Sequence, residues 1–177
     1  MSASELSRLI KVRPLPGEPV LIEANADERA ALSKRFGLSK IHSLAAKIEL
    51  EARDDAIIAS GTLTASIEQP CAISGEDFTV AIDEPVDLRF VSESTLAQAE
   101  NEDGEIEVDL SADDSDEIEY SGDMFDLGEA IAQTLGLSID PYAEGPGAQA
   151  AREAAGISDE DAPSGPLAEA LAALKKS

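Results

Sequence analysis

From Ile41 to Ile67 the chain alternates apolar and polar residues across one short polar break, and this pattern leaves little choice of local structure. Leu44, Ala46, Ile48 and Leu50 share one parity, and Lys47, Glu49 and Glu51 hold the other. Successive side chains of a strand point to opposite faces, so a period of two reads as a half-buried strand. After the polar turn Arg53-Asp54-Asp55, the residues Ile57, Ala59, Leu63, Ala65 and Ile67 continue on one face, with Ser60, Thr62, Thr64 and Ser66 opposite. Two such runs across a short turn predict an antiparallel hairpin, with Gly61 expected at a bulge. A hairpin with one apolar face needs a second layer, and the rest of the chain must supply it.

Upstream, Leu6 to Val12 reads as a first strand, ended by Arg13-Pro14-Leu15-Pro16-Gly17, and Val20-Leu21-Ile22 as a second. Asn25 caps a helix, with Glu28 as its reciprocal partner. Ala31, Leu32 and Phe36 form the apolar stripe of that helix, and Gly37 closes it with Leu38 folding back on Leu32. Arg29, Lys34 and Arg35 lie off the stripe and are expected to face water. Downstream, Gln69-Pro70-Cys71 turns the chain into a third long strand, Phe78-Val80-Ile82. That strand is expected to break at Glu84-Pro85 and resume at Val86-Leu88-Phe90, with Pro85 at an edge or bulge because it cannot donate to a ladder.

The strongest helical signal runs from Ile118 to Tyr142. Ile118 and Tyr120 lead into the turn Ser121-Gly122-Asp123, and Asp126 with Glu129 three residues on reads as a capping box. Leu127, Ile131 and Leu135 recur at i, i+4 and i+8, so one stripe is apolar and the helix is expected to dock as scaffold, stopped by Gly136 and Pro141. Gly145-Pro146-Gly147 opens an Ala/Glu-rich tail expected to be mobile. Gly165-Pro166 then starts a short last helix carrying Leu167, Ala170, Leu171 and Leu174, which docks on the body or binds a partner. The expected architecture is α+β: an antiparallel sheet, with closure into a partial barrel open, two main helices packed on it, an acidic insertion and a C-terminal helix. Residues 1–142 are read as one domain with an acidic loop at 92–117, and 143–177 as a flexible tail.

Charge divides this chain in two. The net charge of −24 is the sum of +2 over residues 1–53 and −26 over residues 54–177. A charge of that size repels phosphate and anionic membrane and attracts basic partners, although acidity also serves solubility alone. The stretch from Ser92 to Glu117 is dense in Asp and Glu, carries no Lys or Arg, and is expected to be a disordered, self-repelling loop. Within it Ile106, Val108 and Leu110 alternate with Glu105, Glu107 and Asp109, enough for one induced strand. Aromatic residues are few and Trp is absent, which argues against base-stacking platforms. A single cysteine, no signal-peptide pattern and no apolar run of membrane-spanning length point to the cytoplasm, with no membrane and no DNA as partner.

Chemistry-bearing constellations are scarce. His42 is the only histidine and Cys71 the only cysteine, so the usual nucleophilic triads lack parts and a multi-cysteine zinc site has no ligands. Cys71 needs a cationic neighbour or a helix N-terminus to become a reactive thiolate, and between Pro70 and Ala72 it reads as a packed turn residue. Aligning Asp109 with the first position of a calcium loop puts Asp114 where glycine is required and Tyr120 where the closing Glu belongs, so that loop fails. No glycine pattern suits a nucleotide. The residues predict no enzyme, no cofactor and no metal site.

The order Tyr120-x-Gly122-Asp123-x-x-Asp126-Leu127-Gly128-Glu129, running on to Asp140-Pro141-Tyr142, resembles the signature of the YceD family. A Gly-Thr-Leu strand, a Gln-Pro-Cys turn and an acidic insertion precede it in the same order, so the resemblance spans roughly Ser4 to Gly147. It implies a non-catalytic role in large ribosomal subunit biogenesis and accumulation of its ribosomal RNA in a bacterial cytoplasm. Many members carry Cys-x-x-Cys at the turn, whereas here Ser74 follows Cys71, so any metal or redox role of such members does not transfer. A protein of this charge fits best as companion to a basic ribosomal protein or assembly intermediate, with Glu105, Glu107, Asp109, Asp113 and Asp114 as contacts. Tyr120, Gly122, Asp123, Asp126 and Leu127 read as turn, cap and core. The alternative is direct binding of ribosomal RNA by Arg29, Lys34, Arg35 and Lys40 from the basic N-terminal third.

Overall fold

The hairpin is present at full length. In the computed structural model, which describes residues 4–95, 116–156 and 173, strand β3 (Lys40–Arg53) pairs antiparallel with β4 (Ala56–Pro70) around the two-residue turn Asp54-Asp55. Asp54 takes the left-handed conformation such a turn requires, with φ of 53°. Leu44, Ala46, Ile48, Leu63, Ala65 and Ile67 are buried, whereas Lys47, Glu49, Thr62 and Thr64 are exposed. The bulge falls at His42, between Ile41 and Ser43, and not at Gly61, which pairs regularly with Ile48. Gly61 is needed for a different reason: a Cβ there would lie 2.0 Å from the Lys47 carbonyl oxygen.

Of the described residues, those in Met1–Gln69 and Thr79–Asp140 form one compact unit, and those in Pro70–Phe78 and Pro141–Ser177 form another. In the first, β1 (Leu9–Lys11) and β2 (Val20–Glu23) are the two expected N-terminal strands. Strand β5 spans Asp77–Ser92 and β6 spans Asp116–Tyr120. The order β2-β3-β4-β5-β6 makes an open five-stranded sheet whose two edges do not meet. The sheet is mostly antiparallel, but β6 runs parallel to β5 from Leu88↔Asp116 to Ser92↔Tyr120. Pro85 does not break β5. It lies before Leu88, where β6 pairing begins, so on that side no ladder bond is missed.

Helix α1 (Ala26–Phe36) starts on a complete capping box: Glu28 N–H donates to Asn25 Oδ1 at 3.0 Å, and Asn25 N–H to Glu28 Oε2 at 2.8 Å. Gly37, at φ 67°, closes it through Ser33. A further strand that alternation alone did not show, β7 (Met124–Asp126), pairs antiparallel with β1 to make a separate two-stranded sheet. Helix α2 (Leu127–Ser138) follows it directly and buries Leu127, Ala130, Ile131, Ala132 and Leu135. These join Leu6, Ile22, Leu32, Leu44, Ile48, Leu63, Ile67 and Phe90 in one apolar core, where each fully buried aliphatic side chain contributes about 1.5–3 kcal/mol. The Phe90 and Phe125 rings sit 4.3 Å apart in a tilted contact. Gly136 does not stop α2; it lies inside the helix beneath the ring of Phe36, and the helix ends two residues later, before Pro141.

In the second unit, Cys71 N–H bonds Glu76 O and Ala72 N–H bonds Ala143 O, tying the 70–78 turn to the segment after Pro141. Ala148–Ala155 forms a helix, α3, within the stretch read as tail, and Gly156 caps it in the left-handed conformation. The side chains of Arg152 and Glu144 form an ion pair beside it. Of the expected last helix only Ala173 is among the described residues, and it is helical; most of the acidic insertion lies outside them.

Candidate functional site

The signature segment 120–129 is a joint between the N-terminal strand and α2. Gly122, at φ 81°, allows the reversal from β6 into β7. The Asp123 carbonyl accepts from Val12 N–H at 2.9 Å, extending the β1–β7 ladder. Asp126 is the busiest residue here: Oδ1 accepts from Glu129 N–H at 3.1 Å as helix cap and from Arg8 N–H at 2.8 Å, and Oδ2 accepts the Ser7 hydroxyl at 2.7 Å. Gly128 faces the same backbone, where a Cβ would come 2.6 Å from Arg8 N and 2.7 Å from Leu6 O. Leu127 is fully buried.

The second half of the predicted capping box is not made. Glu129 is drawn instead into a cross-chain network in which Arg35 Nη2 donates to Oε1 at 2.9 Å and Nη1 to Oε2 at 3.1 Å. The Ser4 hydroxyl adds a bond to Oε2 at 2.6 Å, and Arg35 also pairs with Glu5 at 3.0 Å. Hydrogen bonds from Arg35 hold the Glu129 carboxyl below the usual carboxylate range, against the opposing effect of burial. A parallel arrangement joins Arg8 to Glu28 with contacts of 2.7 and 3.0 Å, and depresses the Glu28 carboxyl for the same reason.

These pairs change the meaning of the N-terminal basic residues. Arg35, expected to face water, is taken by Glu129 and Glu5; Arg8 is taken by Glu28; Arg53 pairs with Glu51 at 3.1 Å. Arg29 donates to the Ala24 carbonyl at 2.6 Å. Lys34 and Lys40 are exposed on α1 and at the start of β3. The four candidate RNA contacts thus divide into two exposed lysines and two arginines that bond other groups of the protein, Arg35 doing so while still exposed.

Beside the signature lies a cleft of about 400 Å³, bordered by Arg13, Asp54, Asp55, Tyr120, Gly122 and Asp123. Its carboxylates come from the hairpin turn and from the turn before β7. It opens next to Thr95, where the described chain stops ahead of the acidic insertion. Glu105, Glu107, Asp109, Asp113 and Asp114 lie outside the described residues. Among those described, no group of three or more His, Cys, Asp or Glu side chains is placed to hold a metal ion.

His42 is exposed and its Nε2 lies 2.9 Å from Glu68 Oε2. Cys71 is buried in its turn, and Sγ accepts from Ser74 N–H at 3.3 Å and Ile73 N–H at 3.4 Å. Hydrogen bonding from the Ser74 side chain, then from backbone N–H groups, pulls the thiol down to about 7. Sequence reasoning looked for a cation or a helix end; the signal it passed over was Ser74, three residues on.

An open, mostly antiparallel sheet with two helices packed on it, joined through a Gly-Asp-x-x-Asp-Leu-Gly-Glu segment, defines an α+β protein. The family model described as large ribosomal RNA subunit accumulation protein YceD matches residues 59–176, about two thirds of the sequence, and the chain belongs to that family. Neither curated proteins nor solved structures give a significant match. No helix among the described residues is long and apolar enough to cross a membrane.

Proposed function

We propose that this protein is a non-enzymatic factor in large ribosomal subunit biogenesis that holds a basic ribosomal protein, or an assembly intermediate displaying one, against its acidic surface. Family membership supports the process. The observation that carries the mode of action is the internal pairing of Arg8, Arg35 and Arg53 with Glu28, Glu129 and Glu51. It engages three of the nine basic residues of the N-terminal third, while residues 54–177 carry −26. Carboxylates at that density stand in for the phosphates a ribosomal protein meets in RNA, and such attraction acts at long range and weakens with salt.

The insertion supplies the contact in this reading, with the 120–129 joint as scaffold. Replacing Glu105, Glu107, Asp109, Asp113 and Asp114 by their amides is expected to weaken capture of RNA-free large-subunit proteins and to flatten its salt dependence. Unchanged capture would remove the insertion from the account. Lys34 and Lys40, exposed and clear of the ion pairs above, favour the second reading, direct contact with ribosomal RNA. Their replacement by Gln is expected to leave capture of RNA-free proteins intact.

A further inference from the structure

We draw no further inference here: the strongest candidate, the cleft of about 400 Å³ that Arg13, Asp54, Asp55, Tyr120 and Asp123 border beside the β3–β4 turn, is a cluster of carboxylates next to Thr95, where the described chain stops, and nothing in the structure points to a ligand for it.

Discussion

Arg35 and Glu129 join α1 to α2 by two parallel hydrogen bonds of 2.9 and 3.1 Å, across ninety-four positions of sequence. The pair ties the end of α1 to the first turn of α2 and engages an arginine that the sequence left free. Both side chains keep roughly a third or less of their surface exposed (31% and 26%), so the pair is only partly screened. Replacing Glu129 by Gln is expected to destabilise the protein by about 1 kcal/mol, read as a lower urea midpoint with unchanged slope.

Acid should remove the same contribution. Arg8 and Arg35 hold the Glu28 and Glu129 carboxyls below their ordinary 4.5 in the folded protein. The unfolded chain therefore binds more protons in that window. The stabilisation is complete above the ordinary value and is lost as pH falls through the lower folded values. The double variant E28Q/E129Q is expected to start less stable at neutral pH, yet to lose less stability than the wild type between about pH 5 and about pH 3. Equal losses would show that the two carboxyls are not depressed.

Asp126 accepts from three donors, and its removal orphans them together. Asp126→Ala is expected to cost about 2 kcal/mol or more, the loss of a cap combined with an unpaired Arg8 N–H. Asp126→Asn keeps an acceptor oxygen and is expected to recover much of that. Thermal unfolding of the two variants side by side distinguishes a capping role from a purely electrostatic one.

Two glycines of α2 should respond differently to the same change. At Gly128 an added methyl meets backbone atoms of Leu6 and Arg8 that cannot yield without moving β1, and Gly128→Ala is expected to cost about 3 kcal/mol. At Gly136 it meets the end of the Phe36 side chain at 2.8 Å, which can turn aside. The better helix propensity of alanine there offsets much of the clash, leaving Gly136→Ala within about 1 kcal/mol of the wild type. Chemical denaturation of both variants checks the ordering.

The Cys71 thiol is expected to titrate near 7, and Ser74→Ala to move it back toward its ordinary 9.0, followed by ultraviolet absorbance of the thiolate. An unchanged midpoint would show that backbone N–H groups alone lower it.

Elements with a strong period were legible from sequence. The β3–β4 hairpin, the Asn25–Glu28 capping box and the Leu127–Ile131–Leu135 stripe depend on neighbours in the chain, and spacing reveals them. What failed depended on distant partners. Gly136 looks like a stop because glycine is a poor helix former, but the ring of Phe36 needs the space. Gly61 looks like a bulge because nothing in its own strand shows the Lys47 carbonyl. Strand β7 is three residues long and exists through its pairing with β1, and the parallel sense of β6 is set by how the chain returns after the insertion. The Arg35–Glu129 and Arg8–Glu28 pairs were invisible for the same reason, so the count of basic residues overstated what remains free for a phosphate.

The most direct test compares two affinities of the full chain across a salt series: one for RNA-free proteins of the large ribosomal subunit, the other for its protein-free ribosomal RNA. An acidic companion is expected to bind the proteins at about 0.1 M salt, to release them as screening shortens the reach of its charges, and to show no binding to the RNA. Tight, steeply salt-dependent binding to the RNA with none to the proteins would contradict the account and turn attention to Lys34 and Lys40.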